Sequence, residues 1–187
     1  MSMARGKSSR PARKMKPVIL VLCEGETEAQ YVESLRQKYR LPIKIVSKVV
    51  GQQISQKLIN RHKKELKISG SENIDCFLMY DADVRSVVQN ILQCNAKAVL
   101  SRPSIEVWFL AHEEKVPETD FSGEECISRL RRHDVWKEYR KANLSDSQKK
   151  VLWENRLVAG EHISHEVSDE RVFSTVNEFI AVLEKNK

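Results

Sequence analysis

Glu24, Asp81 and Asp83 are the residues of this 187-residue chain whose spacing most readily suggests chemistry. Glu24 follows directly on the apolar run Val18–Cys23, and Asp81 and Asp83 follow directly on the run Cys76–Tyr80. Both runs read as strands. In a parallel sheet, the ends of both fall on one edge, and the carboxylates gather there. Asp81 and Asp83 are separated by one residue across a strand-to-loop break, so both can turn toward that edge. Carboxylates held together repel one another by several kcal/mol, roughly, at short range and intermediate dielectric. A divalent cation relieves that repulsion. Oxygen-only ligands suit Mg²⁺ or Mn²⁺. Such an ion can bind phosphate oxygens, activate water and stabilise a leaving oxygen. The plainer alternative is a set of solvent-facing loop acids, with Asp83 capping a helix that starts at Val84.

The elements that must position these residues follow from hydrophobic pattern. Val18–Cys23 is a continuous apolar run, as expected of a parallel strand buried on both faces. Thr27 and Gln30 have the spacing of a capping box for a helix that buries Tyr31, Val32, Leu35 and Tyr39. A second strand is expected from Ile43 to Val50, after Pro42. A helix follows from about Ser55 to Lys67, with Leu58, Ile59 and Leu66 inward, and then a loop at Ser69-Gly70-Ser71. The third strand, Cys76–Tyr80, leads to a helical stripe of Val84, Val87, Val88, Ile91 and Leu92. Lys97–Leu100 is a short fourth strand. Pro103 suits the first turn of a helix to about His112. Beyond Pro117 the pattern predicts helices alone, capped by Ser122 with Glu125 and by Ser145 with Gln148, and a last one from about Asp169 to Glu184. The order predicts an α/β fold: a mainly parallel four-stranded sheet flanked by helices, with a helical C-terminal part. Sites in such sheets lie beyond the carboxyl ends of the strands.

Charge is unevenly spread. Arg5, Lys7, Arg10, Arg13, Lys14 and Lys16 stand in residues 1–17 with no acid among them. The remainder has as many acids as bases, so the whole net charge of +6 belongs to this arm. Rich in Ser, Gly and Pro, residues 1–16 read as a disordered basic tail. It can bind nucleic-acid phosphates by releasing counterions, or simply be solvated. The 4 cysteines are scattered without a C-x-x-C pair, which fits a reducing cytoplasm and argues against a zinc knuckle or disulfide framework. No apolar run approaches the roughly 20 residues that cross a bilayer, and no signal core follows the basic start. There is no G-x-x-x-x-G-K-[ST] loop for nucleoside triphosphate. His162 and His165 make an incomplete zinc site. Trp136 and Trp153 read as core residues.

Three motifs carry a family resemblance. The first is Val-Leu-Cys-Glu24-Gly25-Glu26-Thr27-Glu28-x-x-Tyr31, and the second Asp81-x-Asp83. The third is Ser101-Arg-Pro103-Ser-Ile-Glu106-Val-Trp108-Phe-Leu110-x-His112. Together they resemble the RloB-like family, which is similar to the Toprim nucleases and linked to bacterial restriction and abortive-infection loci. The resemblance is carried by residues 17–115. It implies a Toprim-like core over 17–115; the pattern of the chain sets the basic tail over 1–16 before it and a helical extension over 116–187 packed on it. Carried over, Glu24 matches the Toprim glutamate of acid–base chemistry or metal binding, and Asp81 and Asp83 match the metal-binding aspartates. Glu106 matches the acid of the third motif. Ile105, Trp108, Phe109 and His112 form an apolar stripe, and Glu106 stands about 100° from it, able to face the strand edge or solvent. Glu26 and Glu28 can be explained by the helix dipole alone.

The enzyme expected on these grounds is a Mg²⁺- or Mn²⁺-dependent nuclease. Asp81, Asp83 and Glu24 would hold metal, and Glu24 and Glu106 would act in catalysis. The family context implies antiviral defence beside a separate ATPase subunit. The rival is a non-catalytic module that docks nucleic acid or that ATPase, with the basic tail as its contact. DNA and RNA are not distinguished, and helices of the second half could pair subunits into a homo-oligomer.

Overall fold

The computed structural model describes residues 18–41, 44–67 and 74–187. The basic-tail residues Arg5, Lys7, Arg10, Arg13, Lys14 and Lys16 lie outside them, as do Pro42 and the Ser69-Gly70-Ser71 loop. The chain alternates β1 (Val18–Cys23), α1 (Glu26–Tyr39), β2 (Lys44–Val49), α2 (Gln56–Lys67), β3 (Ile74–Asp81), α3 (Arg85–Leu92), β4 (Lys97–Arg102) and α4 (Glu106–Ala111). There follow α5 (Gly123–Leu130), α6 (Asp146–Glu154), β5 (Phe173–Ser174) and α7 (Val176–Lys185). Short 3₁₀ turns at Asp134–Trp136 and Val158–Glu161 flank α6.

The sheet has five strands in the order β2-β1-β3-β4-β5, the first four parallel and β5 antiparallel to β4. All six residues of β1 are buried because helices cover both faces of the sheet. Alternation divides them. Ile19, Val21 and Cys23 point to the layer of α1, α4 and α7, and Leu20 and Leu22 to the layer of α2 and α3. From β1 the chain goes out to β2 on one side and returns to β3 on the other. The sheet therefore reverses direction between β1 and β3. In parallel sheets this is where the ends of neighbouring strands open a crevice.

The expected four strands become five. β5 pairs Ser174 with Ser101 and Phe173 with Arg102. It lies where the pattern predicted the first turns of the last helix. That helix begins only at Val176. The extended form wins there because the Thr175 N–H donates to the Leu100 carbonyl, and the Thr175 hydroxyl accepts the Leu100 N–H, each at 2.9 Å. The helix expected from Pro103 begins at Glu106, after a cis peptide bond between Arg102 and Pro103. The capping box of α1 is also displaced. Its N-cap is Gly25, whose N–H is accepted by Glu28 at 2.9 Å. A Cβ at position 25 would lie 3.2 Å from that carboxylate oxygen, which favours glycine. Thr27 and Gln30 are used elsewhere, as described below. Among the described residues no helix is long and apolar enough to cross a membrane.

Candidate functional site

Glu24 extends the line of β1, its N–H bonded to the Met79 carbonyl of β3 at 3.1 Å. Its carboxylate bridges two neighbours. One oxygen accepts the Gln52 amide at 2.9 Å and the other the backbone N–H of Asp81 at 3.1 Å. Asp81 ends β3, in register with Ser101 of β4. Its Oδ1 accepts the N–H of Ile105 at 2.9 Å, which ties the start of α4 to the sheet edge. The expected juxtaposition of Glu24 and Asp81 is thus present at the crevice.

Asp83 stands apart. It is exposed, and α3 begins at Arg85 after Val84 with no side-chain cap, so Asp83 does not cap that helix. It lines a cleft of about 410 Å³ with Asp81, Arg102, Ser104, Asp120 and Lys141.

Glu106 is turned inward, only 1% exposed. A carboxylate so placed needs donors, and it has them. Ser104 Oγ donates to Oε2 at 2.6 Å and Tyr139 Oη to Oε1 at 2.8 Å. The Lys141 ammonium stands 3.7 Å from Oε2.

Glu28 joins the same field, although the helix dipole alone is reason enough for an acid at its position. It is 5% exposed, and burial first, then Glu106 and Glu24, push its carboxyl above the usual range. The Gly25-x-x-Glu28 spacing is the signal that could have found it. Asp81 feels the set most strongly. Burial, then Glu28, Glu106 and Glu24, push it up to about 9, and Lys141 pulls the other way.

Lys141 carries no motif that marks it as a site residue. It sits on a turn bridged from Arg140 to Asn143, with Ala142 at φ +57°. That backbone is unfavourable for alanine and must be held. Thr27 and Gln30 of α1 hold it: Thr27 Oγ1 accepts the Ala142 N–H at 2.9 Å, and Gln30 bonds the Ala142 carbonyl and the Leu144 N–H. Arg131 grips the Tyr139 carbonyl at 2.7 Å. The second half of the chain therefore delivers Tyr139 and Lys141 to carboxylates supplied by the first half. Arg102 reaches the same cleft from β4, bonding the Ala82 carbonyl and Asp120 at 3.3 Å each. Its Nε is buried without a partner among the described residues.

Among the described residues no three Asp, Glu, His or Cys side chains stand close enough together to hold a metal ion as placed. The donors that fit a hard cation are oxygens only. Both Glu106 oxygens and one Glu28 oxygen are engaged by protein donors, which leaves Asp81 Oδ2, the second Glu28 oxygen, Asp83 and the spare lone pairs of Glu24. His162 and His165 are engaged with backbone carbonyls of Ala111, Ser174 and Gly160. His112 is buried against the Trp108 carbonyl, as a core histidine.

A family model described as RloB-like protein matches residues 19–183, well beyond the 17–115 span that carries the motifs. No curated protein matches the chain, and no solved structure matches it. The match spans most of the sequence, and the chain belongs to the RloB-like family.

Proposed function

We propose that this protein is a divalent-metal-dependent nuclease of Toprim-like type, cleaving phosphodiester bonds. One observation supports the reading above others: Glu28, Glu106 and Glu24 all crowd Asp81 at the sheet's reversal point, with the Lys141 ammonium set against them. Carboxyl groups crowded in this way ionise together only at a cost, which a bound cation removes. Asp81, Asp83 and Glu24 would hold Mg²⁺ or Mn²⁺, with exposed Asp83 swinging in to complete the set. A bound ion of this kind polarises a phosphate oxygen and lowers the pKa of water.

The chain's own residues supply the rest. Lys141 offers an ammonium at the cleft to a phosphate oxygen or to the leaving oxygen. Glu106, enclosed by Ser104 and Tyr139, acts as a positioning residue for that lysine. Glu24, bonded to the Asp81 N–H, fixes the distance between β1 and β3 and can accept the proton of an attacking water. The attacking oxygen forms a bond to phosphorus as the bond to the leaving oxygen breaks, and the leaving oxygen takes up a proton. The basic arm would hold DNA or RNA. We place the protein in the cytoplasm, in bacterial anti-phage defence beside a separate ATPase subunit. The test is cleavage of DNA and RNA with Mg²⁺ or Mn²⁺ by wild type and by Asp81→Asn. Loss of cleavage in a folded variant supports the reading. Unchanged cleavage refutes it.

A second reading, a docking module without cleavage, draws on the engagement of Glu106 and Glu28 by protein donors. It predicts duplex or ATPase binding that carboxylate substitutions leave unchanged.

A further inference from the structure

Helix α2 carries Lys57, Arg61, Lys63, Lys64 and Lys67 against one acid, Glu65. This local excess is hidden in the chain's bulk charge, which balances outside the basic arm. Lys57, Arg61 and Lys64 recur at i, i+4 and i+7, so they share one face. All are exposed, and they line one groove of about 470 Å³ with Gln53, Ser55, Leu58 and Asn60. Glu65 is spent on His62 at 3.2 Å and reaches Arg61 only at 3.9 Å. Lys57 and Lys64 have no ion-pair partner among the described residues.

A solvated helix face would account for scattered lysines. Two further facts point to a ligand. The groove begins one residue along the chain from the carboxylate edge: Gln52 donates to Glu24 at 2.9 Å, and the next residue, Gln53, lines the groove. The charges are also opposite. A phosphate backbone approaching Glu24 and Asp81 is repelled, and cations beside them are what can hold it there. The stripe rises about 10.5 Å from Lys57 to Lys64, which matches about three nucleotides of one duplex strand. Among the described residues no aromatic side chain lines the groove, so none there provides a platform for stacking unpaired bases.

We propose that the Lys57–Arg61–Lys64 face of α2 is a docking surface for the phosphate backbone of a nucleic-acid duplex, leading it to the carboxylate edge. The proposal deepens the nuclease reading and rests on it for its direction, although docking itself does not require cleavage.

The experiment measures anisotropy of labelled 20-base-pair DNA and RNA duplexes, and of a 20-nucleotide single strand, over a salt series. It uses the full chain, the triple variant Lys57→Gln/Arg61→Gln/Lys64→Gln, and the charge-keeping variant Lys57→Arg/Lys64→Arg. The expected result is at least a tenfold affinity loss in the triple variant. The slope of log K against log salt should fall by about 2 to 3, since each phosphate left without its cation removes about 0.9. The charge-keeping variant should bind as wild type does, and the tighter of the two duplexes identifies the backbone. An unchanged slope and affinity in the triple variant, no duplex binding by wild type, or tighter binding of the single strand would overturn the proposal. The two readings fail separately. Duplex binding lost in the triple variant of a protein that neither takes up Mn²⁺ nor cuts sinks the nuclease and keeps the surface. Cleavage by the triple variant with unchanged KM sinks the surface and keeps the nuclease.

Discussion

The Glu24 carboxylate accepts the backbone N–H of Asp81 at 3.1 Å, so an acid leaving β1 fixes the position of an acid leaving β3. This bond spans the reversal point of the sheet and brings like charges together.

That crowding predicts the effect of Asp81→Asn without metal. The amide keeps an oxygen for the Ile105 N–H and, unlike a carboxyl pushed up to about 9, needs no proton to be buried there at neutral pH. Removing that protonation cost should raise stability at neutral pH by at least about 1–2 kcal/mol. Urea unfolding in chelator-treated buffer measures it. A large loss of stability would show that Asp81 serves the fold alone.

Glu106 depends on its donors. Tyr139→Phe removes the hydroxyl 2.8 Å from Oε1 and leaves a buried carboxylate short of a partner. The expected cost is about 1–3 kcal/mol, read from the denaturation midpoint. Tyr139 is itself held far above the usual phenol range by burial and then by Glu106, so it stays a donor.

Much of this arrangement is legible in the sequence. The all-apolar run ending at Cys23 announces a doubly covered strand, and acids placed directly after it and after Tyr80 announce the crevice. The rest is not, for physical reasons. A two-residue strand such as Phe173–Ser174 is too short to show period-two alternation, and its pairing depends on Thr175 meeting Leu100 across 75 residues. Thr27 and Gln30 have capping-box spacing, yet a turn 115 residues away claims Thr27. Lys141 looks like any surface lysine until Thr27 and Gln30 hold its turn over the cleft. Glu106 reads as facing an edge or solvent, because the tyrosine that encloses it lies in a segment without a motif.

Lys141 gives a prediction on activity. Lys141→Met should lower cleavage by about 10²–10³-fold, the scale of one lost charge-stabilising donor, while Mn²⁺ binding persists. Lys141→Arg should recover part of the rate. Thr27→Val, which frees the Ala142 N–H, should lower kcat in the same direction without touching the cleft. Single-turnover kinetics on the substrate found in the cleavage screen checks all three.

The pH dependence of stability has a signature at His112. Burial pulls this imidazole down to about 4 from 6.5. The unfolded chain therefore binds the proton more readily than the folded one. The stabilisation from keeping His112 neutral is present above about pH 6.5 and is lost as pH falls to about 4, on the order of 3 kcal/mol in all. His112→Gln, which can still donate to the Trp108 carbonyl, should flatten urea-unfolding stability over that window. An equal slope in the variant would assign it to other groups.

On the nuclease reading, the carboxylates at the sheet edge hold a divalent ion. The most direct test is calorimetric titration of Mn²⁺ into wild type and into Asp81→Asn/Asp83→Asn, with folding of both confirmed by circular dichroism. Binding by wild type and its loss in the folded variant is the predicted result. Equal binding by the two proteins, or no binding by wild type even with a phosphate-bearing oligonucleotide present, would contradict it.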